Sequence, residues 1–375
     1  MKYYILVGEA SGDLHGSNLM KALYHEDPEA DIRFWGGDLM QEAGGTLVTH
    51  YKERAFMGFI EILKNLFTIL GFISACKKDI AAFHPDVIVF IDNSGFNLRI
   101  AKWAKAQEYN THYYISPQVW ASRAGRVKTI KATIDHMYVI LPFVESFYTK
   151  YQYPVQFVGH PLIDAISGRT QADPEVFAKE HDLDKRPMIA LLPGSRKQEI
   201  NAMLSVMLSV VDAYPEYQFV IAGAPSQEAS FYAPFLKNAH VRLIMNKTYD
   251  ILSFANAALV TSGTATLEAA LFKVPQVVCY KGSRISYEIA KRIIKLDYIS
   301  LVNLIMNKEV VTELIQNDFT TKTLKAALTQ ILDAYQRGQI FADYYDLEQK
   351  LGGRGASSKT AKLIVENSKK SVVGS

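Results

Sequence analysis

Residues 260–280 read VTSGTATLEAALFKVPQVVCY, an order of residue types that predicts a strand, a small turn, a helix and a second strand. The apolar run Ala257–Val260 is typical of a buried strand, and it ends at the hydroxyl-rich turn Thr261–Thr264. The helix that follows ends at Lys273, because Pro275 cannot continue it. This order of elements is that of one repeating unit in a parallel sheet.

The turn before this helix has the properties of an anion site. The first N–H groups of a helix lack backbone partners and carry the positive end of the helix dipole. Gly263 lets a ligand approach the backbone closely, and Glu268 lies one turn into the helix, at a height suited to sugar hydroxyls. An ordinary N-cap turn without a ligand explains the same residues equally well.

The composition is that of a globular protein with two domains. The chain has 375 residues, of which 49% are hydrophobic and 21% charged, and this length favours two domains with separate cores. A net charge of +3 gives no reason to expect a nucleic acid partner. Cys76 and Cys279 lie in apolar runs and are expected to be buried free thiols. The N-terminus lacks a signal-peptide pattern, so the sequence predicts a cytoplasmic protein.

Apolar strands alternate with helices along the whole chain, which predicts an α/β fold with two Rossmann-like, doubly wound parallel sheets. The first set of strands is expected at 3–7, 32–35, 86–91, 111–115, 136–140 and 156–158. After a polar crossing at 168–186, further strands are expected at 188–192, 217–221, 242–245, 257–260 and 276–280. The ligands of such sheets bind at the carboxyl ends of the strands, which we expect to face a cleft between the domains.

A second turn in the later half also suits phosphate. The strand 188–192 leads into Pro193, Gly194, Ser195 and Arg196, and the planar guanidinium of Arg196 matches phosphate oxygens. Such a charge-assisted contact contributes about 1.5–3 kcal/mol. If it were the only such turn, the simplest interpretation would be an ordinary surface turn with a solvent-exposed arginine. Together with the turn 261–264, it favours a nucleotide diphosphate as the ligand.

After the strand 3–7, a turn over residues 9–16 is expected to lead into a helix over 17–25. The residues of this turn do not predict a dinucleotide site. Residues 8–13 read GEASGD, which lacks the glycine spacing of G-x-G-x-x-G. The second strand ends in Gly36 and Gly37, where a dinucleotide site would need an acidic residue. NAD is therefore not expected.

Asp92 is the expected catalytic base. It follows a fully apolar strand, so its carboxylate lies at the edge of the sheet where ligands bind. Partial burial would raise its pKa toward that of a useful base. The alternative is a helix N-cap, but the cap is expected nearer Ser94 or Asn97, which leaves Asp92 free.

Cations follow the strand that ends at residues 116–117. Residues 116–123 read SPQVWASR, and Arg126 comes three residues later. Cations near the edge of the sheet where ligands bind suit an anionic substrate. Lys128 and Lys131, which follow, are explained equally well as residues on the solvent-exposed face of a helix.

No metal site is expected. Asp182 and Asp184 have the D-x-D spacing of metal-dependent sugar transferases, but they precede a strand and lie in a polar linker. His160 is expected to be structural or to contact a ligand, and not to bind a metal.

Residues 56–75, FMGFIEILKNLFTILGFISA, predict a helix that is apolar on both faces. A helix on the surface of a soluble protein needs only one apolar stripe. The additional apolar residues on the opposite face predict deep burial, an acyl-chain pocket or contact with a bilayer surface. Glu61, Lys64 and Asn65 leave too short an apolar length to span a bilayer. Farther along, one predicted helix face suits anionic lipid headgroups through Arg284, Lys291, Arg292 and Lys295.

Taken together, these motifs resemble the lipid-A-disaccharide synthase family, sugar transferases of the glycosyltransferase-B fold. The resemblance covers nearly the whole chain and rests on the order and spacing of short motifs. These are GEASGD (8–13), MG (57–58), ID (91–92), SPQVWA (116–121), GHP (159–161), LPGSR (192–196), SGTATLE (262–268) and SLVNL (300–304). The chain departs from the family pattern at Gly95, where a second acid is frequent, and at Ser122, where a second tryptophan is frequent.

The resemblance implies a reaction. UDP-2,3-diacylglucosamine and 2,3-diacylglucosamine 1-phosphate would give a β-1,6-linked disaccharide 1-phosphate and UDP, a step of lipid A synthesis in Gram-negative bacteria. The enzyme would work without a cofactor, peripherally at the cytoplasmic face of the inner membrane, where an anionic surface is a further partner. Acyl chains on both substrates would explain the apolar excess at 56–75. The resemblance also implies a homodimer.

The expected domains are 1–165 for the acceptor and the membrane, 166–340 for the UDP-sugar donor, and a helical segment, 341–375, that returns to the first domain or to a partner chain. Asp92 would accept the proton of the acceptor hydroxyl in a single inverting displacement. The expected donor-binding residues are Gly194, Ser195, Arg196, Ser262, Gly263, Thr264, Glu268 and Asn303. The expected acceptor-side residues are Glu9, Ser11, Gly12, Asp13, Gln118 and Arg123.

Two other functions fit parts of the sequence. An enzyme similar to UDP-N-acetylglucosamine 2-epimerases would share the fold but use a soluble substrate, which leaves the apolar excess at 56–75 without a purpose. A membrane-associated protein that binds nucleotide sugars without catalysis would not need Asp92 at a strand end.

Overall fold

The computed structural model of the chain describes residues 1–53, 66–122, 124–282 and 297–373. It contains two compact units. Unit 1 comprises Met1–Ser167 together with the chain from Leu351 onward, and unit 2 comprises Gly168–Lys350. Each unit is a parallel α/β sheet covered by helices, so the predicted fold class is confirmed.

The sheet of unit 1 has seven strands in the order β3-β2-β1-β4-β5-β6-β7. All of its pairings are parallel, and the central strand β1 aligns Tyr3 with Ile32 on one side and with Val87 on the other. The strands are β1 Lys2–Leu6, β2 Asp31–Gly36, β3 Thr46–His50, β4 Val87–Ile91, β5 Asn110–Tyr114, β6 His136–Val139 and β7 Gln156–Phe157. Every residue of β4 is buried, as its unbroken apolar run predicts.

The helices of unit 1 lie before and between these strands and at the end of the chain. They are Ala10–Glu26, Asp38–Ala43, Leu66–Phe83, Ser94–Ala106, Val119–Ser122, Val127–Thr133, Val144–Thr149, Pro161–Ser167 and Ala356–Val373. The last of these packs against the first, and Asp164 accepts hydrogen bonds from the N–H groups of Gly355 at 2.7 Å and Ser357 at 2.9 Å. The end of the chain therefore completes unit 1.

The sheet of unit 2 has six strands in the order β10-β9-β8-β11-β12-β13. They are β8 Met188–Leu192, β9 Gln218–Gly223, β10 Val241–Met245, β11 Ala255–Thr261, β12 Gln276–Tyr280 and β13 Glu313–Ile315. The residues quoted at the start therefore lie at the centre of the sheet, where Val260 aligns with Leu192 of β8 and Val278 of β12. Buried apolar side chains of β8, β9 and β11 form one core with those of the neighbouring helices.

The helices of unit 2 connect its strands and follow the last one. They are Pro174–Glu180, Lys197–Met207, Ala229–Tyr232, Thr248–Phe254, Thr264–Leu271, Leu301–Met306, Thr321–Leu332 and Ala334–Lys350. The helix Lys197–Met207 continues as the 3₁₀ helix Leu208–Ala213.

Two strands were not predicted, and both lie at sheet edges. The strand β3, Thr46–His50, reads TLVTH and is at most half-buried, so it lacks the continuous apolar run of a central strand. The strand β13 is only three residues long. Edge strands are covered less completely than central ones, which leaves a weaker signal in the sequence.

The turn predicted over residues 9–16 is wrong, because a helix begins at Ala10. Its glycines serve close packing. A Cβ added at Gly12 would lie 3.1 Å from the Cβ of Val7, and one added at Gly16 would lie 2.6 Å from the sulfur of Met40. The glycines thus let the first helix approach its neighbours, which is a second use of glycine besides turns.

The predicted apolar helix over 56–75 lies partly outside the described residues. The described part belongs to the helix Leu66–Phe83, in which Ile73, Cys76 and Ile80 are buried while Leu70 is half exposed. In the part of the chain that the structure describes, no helix is long and apolar enough to cross a membrane. Cys76 and Cys279 are both buried, as predicted, and they do not form a disulfide with each other.

Candidate functional site

The carboxyl ends of β8 and β11 open into one cavity of unit 2, with a volume of about 280 Å³. Both turns that the sequence marks as phosphate sites contribute to it, as does Glu268. It is therefore called the donor cavity below. Its lining residues are Leu192, Pro193, Gly194, Ser195, Glu199, Ala222, Ala224, Pro225, Thr248, Thr261, Ser262, Gly263, Thr264, Ala265 and Glu268.

The helix Thr264–Leu271 presents its amino end to the donor cavity. Among the described residues, the N–H groups of Gly263, Thr264 and Ala265 have no acceptor. The N–H of Ser262 is different, because it donates to the carbonyl of Cys279 at 3.1 Å. Gly263 has a φ of +155°, and no atom of the described residues lies within 4 Å of where its Cβ would be. The backbone donors available to an anion therefore begin one residue later than expected.

A second helix, Lys197–Met207, also begins at this cavity. Its first backbone hydrogen bond joins the N–H of Ile200 to the carbonyl of Arg196 at 2.9 Å, so the donors before Ile200 are unpaired among the described residues. Gly194, with a φ of +98°, lies beside Glu199, whose Oε2 would be 2.9 Å from an added Cβ. Two helix dipoles therefore point their positive ends at the same space.

Arg196 stands at the entrance to the second helix as its N-cap residue. Its side chain is 84% exposed and lies 3.5 Å from a carboxylate oxygen of Glu199. A pair this exposed contributes little to stability, so the guanidinium is free to turn toward a ligand. Ser195 lines the cavity itself, while its carbonyl accepts hydrogen bonds from Ser226 and Gln227.

Glu268 lies half-buried at the wall of the donor cavity. Desolvation by burial raises the pKa of its carboxyl, and a hydrogen bond from the hydroxyl of Tyr249 to Oε1, at 3.1 Å, opposes part of that rise. Tyr249 was not singled out from the sequence. It follows Thr248, which lines the cavity just beyond the end of β10.

The strand-end rule would have found three lining residues that the motifs missed. Ala224 and Pro225 follow β9, and Thr248 comes shortly after β10. These residues have no charge or glycine pattern that attracts attention in the sequence. Only their position at the carboxyl ends of parallel strands marks them.

Asn303, expected to contact the nucleotide, has an internal structural role. It is fully buried, and its Nδ2 donates to the carbonyl of Val311 at 2.8 Å and to Glu313 at 2.9 Å. Its Oδ1 accepts from the N–H groups of Val310 and Val311 at 2.8 and 3.0 Å. Every polar atom of the side chain is thus used to hold the segment before β13, and this corrects its expected role.

In unit 1, Asp92 follows β4 on a sharp turn. Asp92 and Asn93 have φ angles of 47° and 42°, values that non-glycine residues adopt with strain. The turn is held from inside, because the carbonyl of Asp92 accepts a hydrogen bond from Asn97 at 2.9 Å and another from the hydroxyl of Tyr113. The side chain of Asp92 is exposed at its surface, while the protein atoms around it still reduce the hydration of its carboxylate.

The pKa of Asp92 is raised, as the sequence predicts. Desolvation by the surrounding protein is the main cause, and the negative charge of Glu9 adds to it. The backbone N–H of Asn93 opposes these effects in part. Glu9 is the residue before the first helix, so the structure brings the start of the chain close to the strand end that carries Asp92.

Two of the expected acceptor-side residues have structural roles. Asp13 is buried and accepts hydrogen bonds from Gly37 at 2.7 Å, Leu39 at 3.1 Å and Met40 at 3.2 Å, at the amino end of the helix Asp38–Ala43. Gly12 is buried against Val7. Both assignments are therefore corrected to packing and capping.

Three of the other expected acceptor-side residues are exposed at the surface of unit 1. Ser11, like Glu9, is exposed on the first helical turn. Gln118 is exposed and accepts a hydrogen bond from the indole of Trp120. Arg123 lies outside the described residues.

The remaining candidates have structural partners. His160 is buried, and burial together with His15 lowers its pKa to about 3, while its Nδ1 accepts from the N–H of Leu162 at 3.2 Å. Asp184 forms an ion pair with Arg186 at 2.6 Å. Within the described ranges, no three His, Cys, Asp or Glu side chains come together in a way that could hold a metal ion.

A family model described as lipid-A-disaccharide synthetase matches residues 3–367. Proteins named lipid-A-disaccharide synthase are similar over nearly their whole length. The protein of Geobacter metallireducens is 37% identical over 369 residues, which is 96% of each chain. The protein of Syntrophus aciditrophicus is 38% identical over 379 residues, 98% of each chain.

Solved structures of low sequence identity share the fold. The UDP-GlcNAc 2-epimerase of Methanocaldococcus jannaschii, in complex with UDP-GlcNAc and UDP, matches with a TM-score of 0.67 at 14% identity, covering 98% of this chain and all of that one. The enzyme of Neisseria meningitidis bound to UDP-GlcNAc gives 0.65 at 14% identity, over 99% and 100% of the two chains. At such identities the similarity shows the fold alone, which is of the glycosyltransferase-B type.

Proposed function

The chain belongs to the lipid-A-disaccharide synthetase family, and we propose that it joins UDP-2,3-diacylglucosamine to 2,3-diacylglucosamine 1-phosphate, releasing UDP. The observation that carries this proposal is the family match over residues 3–367. The donor cavity supports it independently, because two unpaired helix amino ends and a carboxylate suit a nucleoside diphosphate and its ribose.

In this proposal unit 2 binds the donor. The diphosphate accepts hydrogen bonds from the N–H groups of Gly263, Thr264 and Ala265, and Arg196 turns from Glu199 to the phosphate oxygens. Glu268 accepts hydrogen bonds from the ribose hydroxyls. Gly194 and Ser195 line the same cavity as Gly263. Asn303 acts only indirectly, by holding the segment before β13.

Unit 1 supplies the base and binds the acceptor. The oxygen of the acceptor 6-hydroxyl attacks the anomeric carbon of the donor, its proton passes to the carboxylate of Asp92, and the bond between that carbon and the diphosphate oxygen breaks with inversion. General-base assistance contributes about 10²–10⁴-fold to such a step. The raised pKa of Asp92 strengthens it as a base.

The departing electron pair stays on UDP. The helix amino ends at the donor cavity and Arg196 stabilise the charge that develops on the diphosphate, which is electrostatic catalysis by fixed dipoles. Glu9, Ser11 and Gln118 remain the proposed contacts on the acceptor side, together with Arg123.

The same proposal includes the place of action. Both substrates carry acyl chains, so we propose that the protein acts peripherally at an anionic membrane surface, on the inner face of the inner membrane. The residues before and within the helix Leu66–Phe83 would contact the acyl chains. A homodimer is proposed on the family resemblance alone.

The test is direct. The purified protein is incubated with both substrates in neutral detergent micelles, and the disaccharide 1-phosphate is measured by mass spectrometry alongside the UDP released. We expect equal amounts of both products, and loss of both in Asp92→Asn. A parallel incubation with UDP-N-acetylglucosamine alone tests for epimerisation. Epimerised sugar without disaccharide would favour the rival enzyme, and binding without either product would favour a non-catalytic role.

A further inference from the structure

Unit 1 contains a second cavity, of about 290 Å³, that none of the roles above uses. It lies between the helices Ser94–Ala106 and Val127–Thr133 and is called the basic cavity below. Arg99, Lys102 and Arg126 line it, together with the hydroxyl-bearing Ser94 and Thr129. No acidic side chain lines it among the described residues.

Within the part of the chain that the structure describes, the cations of the basic cavity form no ion pair. Among the residues that the structure describes, none of its three cations has a carboxylate within 4.0 Å. Other cations of this chain are paired, as Arg33 is with Asp79 at 2.6 Å and Arg186 with Asp184 at 2.6 Å. Three unpaired cations around one space repel each other, and a bound anion would relieve that repulsion.

The remaining groups at the basic cavity are also hydrogen-bond donors. Arg126 donates to the hydroxyl of Ser94 at 3.3 Å, which holds its guanidinium at the rim. Ser94 is the first residue of a helix of thirteen residues whose N-cap, Asn93, makes no side-chain cap. The N–H groups of Ser94 and Gly95 have no acceptor in the described chain. Forked guanidiniums and unpaired N–H groups together match the oxygens of a phosphate.

The position of the basic cavity relates it to the reaction. Ser94, which lines the basic cavity, follows Asp92 by two residues, so part of the cavity is formed by the first residue of the helix that comes after Asp92. In 2,3-diacylglucosamine 1-phosphate, the attacking hydroxyl and the phosphate belong to one sugar ring. When the attacking hydroxyl is at Asp92, the phosphate therefore has to lie no farther from Asp92 than the width of one sugar ring.

We propose that the basic cavity binds the phosphomonoester of the acceptor, with Arg99, Lys102 and Arg126 as its charged contacts. This inference rests on the proposed function, since it assumes an acceptor that carries a phosphate. The cavity would then set the orientation of the acceptor and would discriminate against sugars that lack the phosphate.

The test compares Arg99→Ala, Lys102→Ala and the double variant with the wild type. Arg99 and Lys102 are exposed, so their removal leaves the core intact. We expect KM for the phosphorylated acceptor to rise by roughly ten-fold or more for each cation removed, with donor KM unchanged. Lys128→Ala is the matched control, because Lys128 is an exposed cation on the neighbouring helix that does not line the cavity.

A second acceptor, which lacks the phosphate, distinguishes a loss of phosphate recognition from a general loss of activity. With 2,3-diacylglucosamine that lacks the phosphate, the wild type should react poorly and the variants no worse than the wild type. Equal losses with both acceptors, or an unchanged KM for the phosphorylated one, would overturn the proposal.

Binding measurements keep this test apart from the proposed function. The phosphorylated acceptor is titrated into each protein in neutral detergent micelles, so the result does not depend on turnover. We expect the double variant to bind it at least ten-fold more weakly than wild type. Co-sedimentation with phosphatidylglycerol vesicles should be equal for all proteins. If instead only vesicle binding is lost, the cavity recognises lipid headgroups and the proposal is wrong.

Discussion

The turn at Asp92 combines strain, charge and exposure within two residues. Its positive φ angles are held by Asn97 and Tyr113 from the interior of unit 1, so the carboxylate cannot relax into an ordinary strand end. Desolvation and the charge of Glu9 make the carboxylate of Asp92 costly to ionise, which raises its pKa. A carboxylate with a raised pKa binds a proton more tightly and is therefore a stronger base.

Asp92→Asn should lower turnover by about 10²–10⁴-fold and leave UDP binding unchanged. Because the pKa of Asp92 is raised in the folded chain, its contribution to stability is present at low pH and is lost as the pH rises through that pKa. The uncharged variant avoids this loss, so its melting temperature at pH 7 should equal or exceed that of the wild type. Near-normal turnover in a kinetic assay would remove Asp92 from the base role.

Glu9→Gln should shift the acid limb of the kcat/KM profile to lower pH. The negative charge of Glu9 helps to raise the pKa of Asp92, and the base has to be deprotonated to act. Activity is therefore lost as the pH falls through that pKa, and a lower pKa moves the loss downward. The exposed Glu29→Gln serves as the charge-matched control. A limb that stays in place would show that Glu9 does not influence the base.

Gly8→Ala should reduce turnover by roughly 10–100-fold while donor affinity is retained. A Cβ at Gly8 would lie 2.1 Å from Nδ2 and 2.7 Å from Cβ of Asn93, so that the turn carrying Asp92 has to move. Gly338→Ala is the control, because no atom in the described ranges lies within 4 Å of the added Cβ and its helix should gain about 0.5–1 kcal/mol in stability. Steady-state kinetics and calorimetric UDP binding measure both variants, and unimpaired turnover in Gly8→Ala would count against this coupling.

At the scale of the element, the amino ends of two helices define the donor cavity. The helices Thr264–Leu271 and Lys197–Met207 follow β11 and β8, which are neighbours in the sheet. The fold therefore brings two positive dipole ends together without any long-range loop.

Arg196→Ala should weaken UDP binding by roughly 10–150-fold, the value of one charge-assisted contact. The melting temperature should not change, since the side chain is 84% exposed and its pairing with Glu199 is loose. Titration calorimetry with UDP measures the effect, and Lys237→Ala, an exposed cation outside the cavity, is the control. Equal affinities for both variants would refute the placement of Arg196.

The central strands with unbroken apolar runs could be predicted most closely from the sequence. The strands β8 and β12 have the predicted bounds, because central strands are buried on both faces. The helix start at Ala10 was missed, since the glycines at 12 and 16 indicate a turn unless their neighbours in space are known. Asn303 was misassigned for a similar reason, because its partners at 310–313 are revealed only by the fold.

At the scale of the whole molecule, unit 2 is formed by one continuous segment of the chain, whereas unit 1 is formed by two separate segments. Unit 2 is a single segment, Gly168–Lys350, with its own core. Unit 1 needs the late helix Ala356–Val373, whose buried Ala361 and Ile364 complete its packing.

Expressed alone, Gly168–Lys350 should fold and bind UDP, whereas Met1–Ser167 alone should not melt cooperatively. The first contains its whole core and the donor cavity, while the second leaves the surface that packs against Ala356–Val373 without cover. Thermal unfolding followed by circular dichroism, with UDP calorimetry, tests both segments. A cooperative transition of Met1–Ser167 at the temperature of the full chain would contradict this expectation.

The divided unit 1 also sets an order of events on the ribosome. The seven strands of unit 1 emerge before unit 2, but the helix Ala356–Val373 that completes unit 1 is translated only after the whole of unit 2. At roughly 5–20 residues per second, this leaves the nascent sheet waiting on the order of ten seconds or longer, while unit 2 can already fold. We therefore expect chaperones to bind the segment Met1–Ser167 during synthesis. Unit 2 folds first, and unit 1 is completed afterwards.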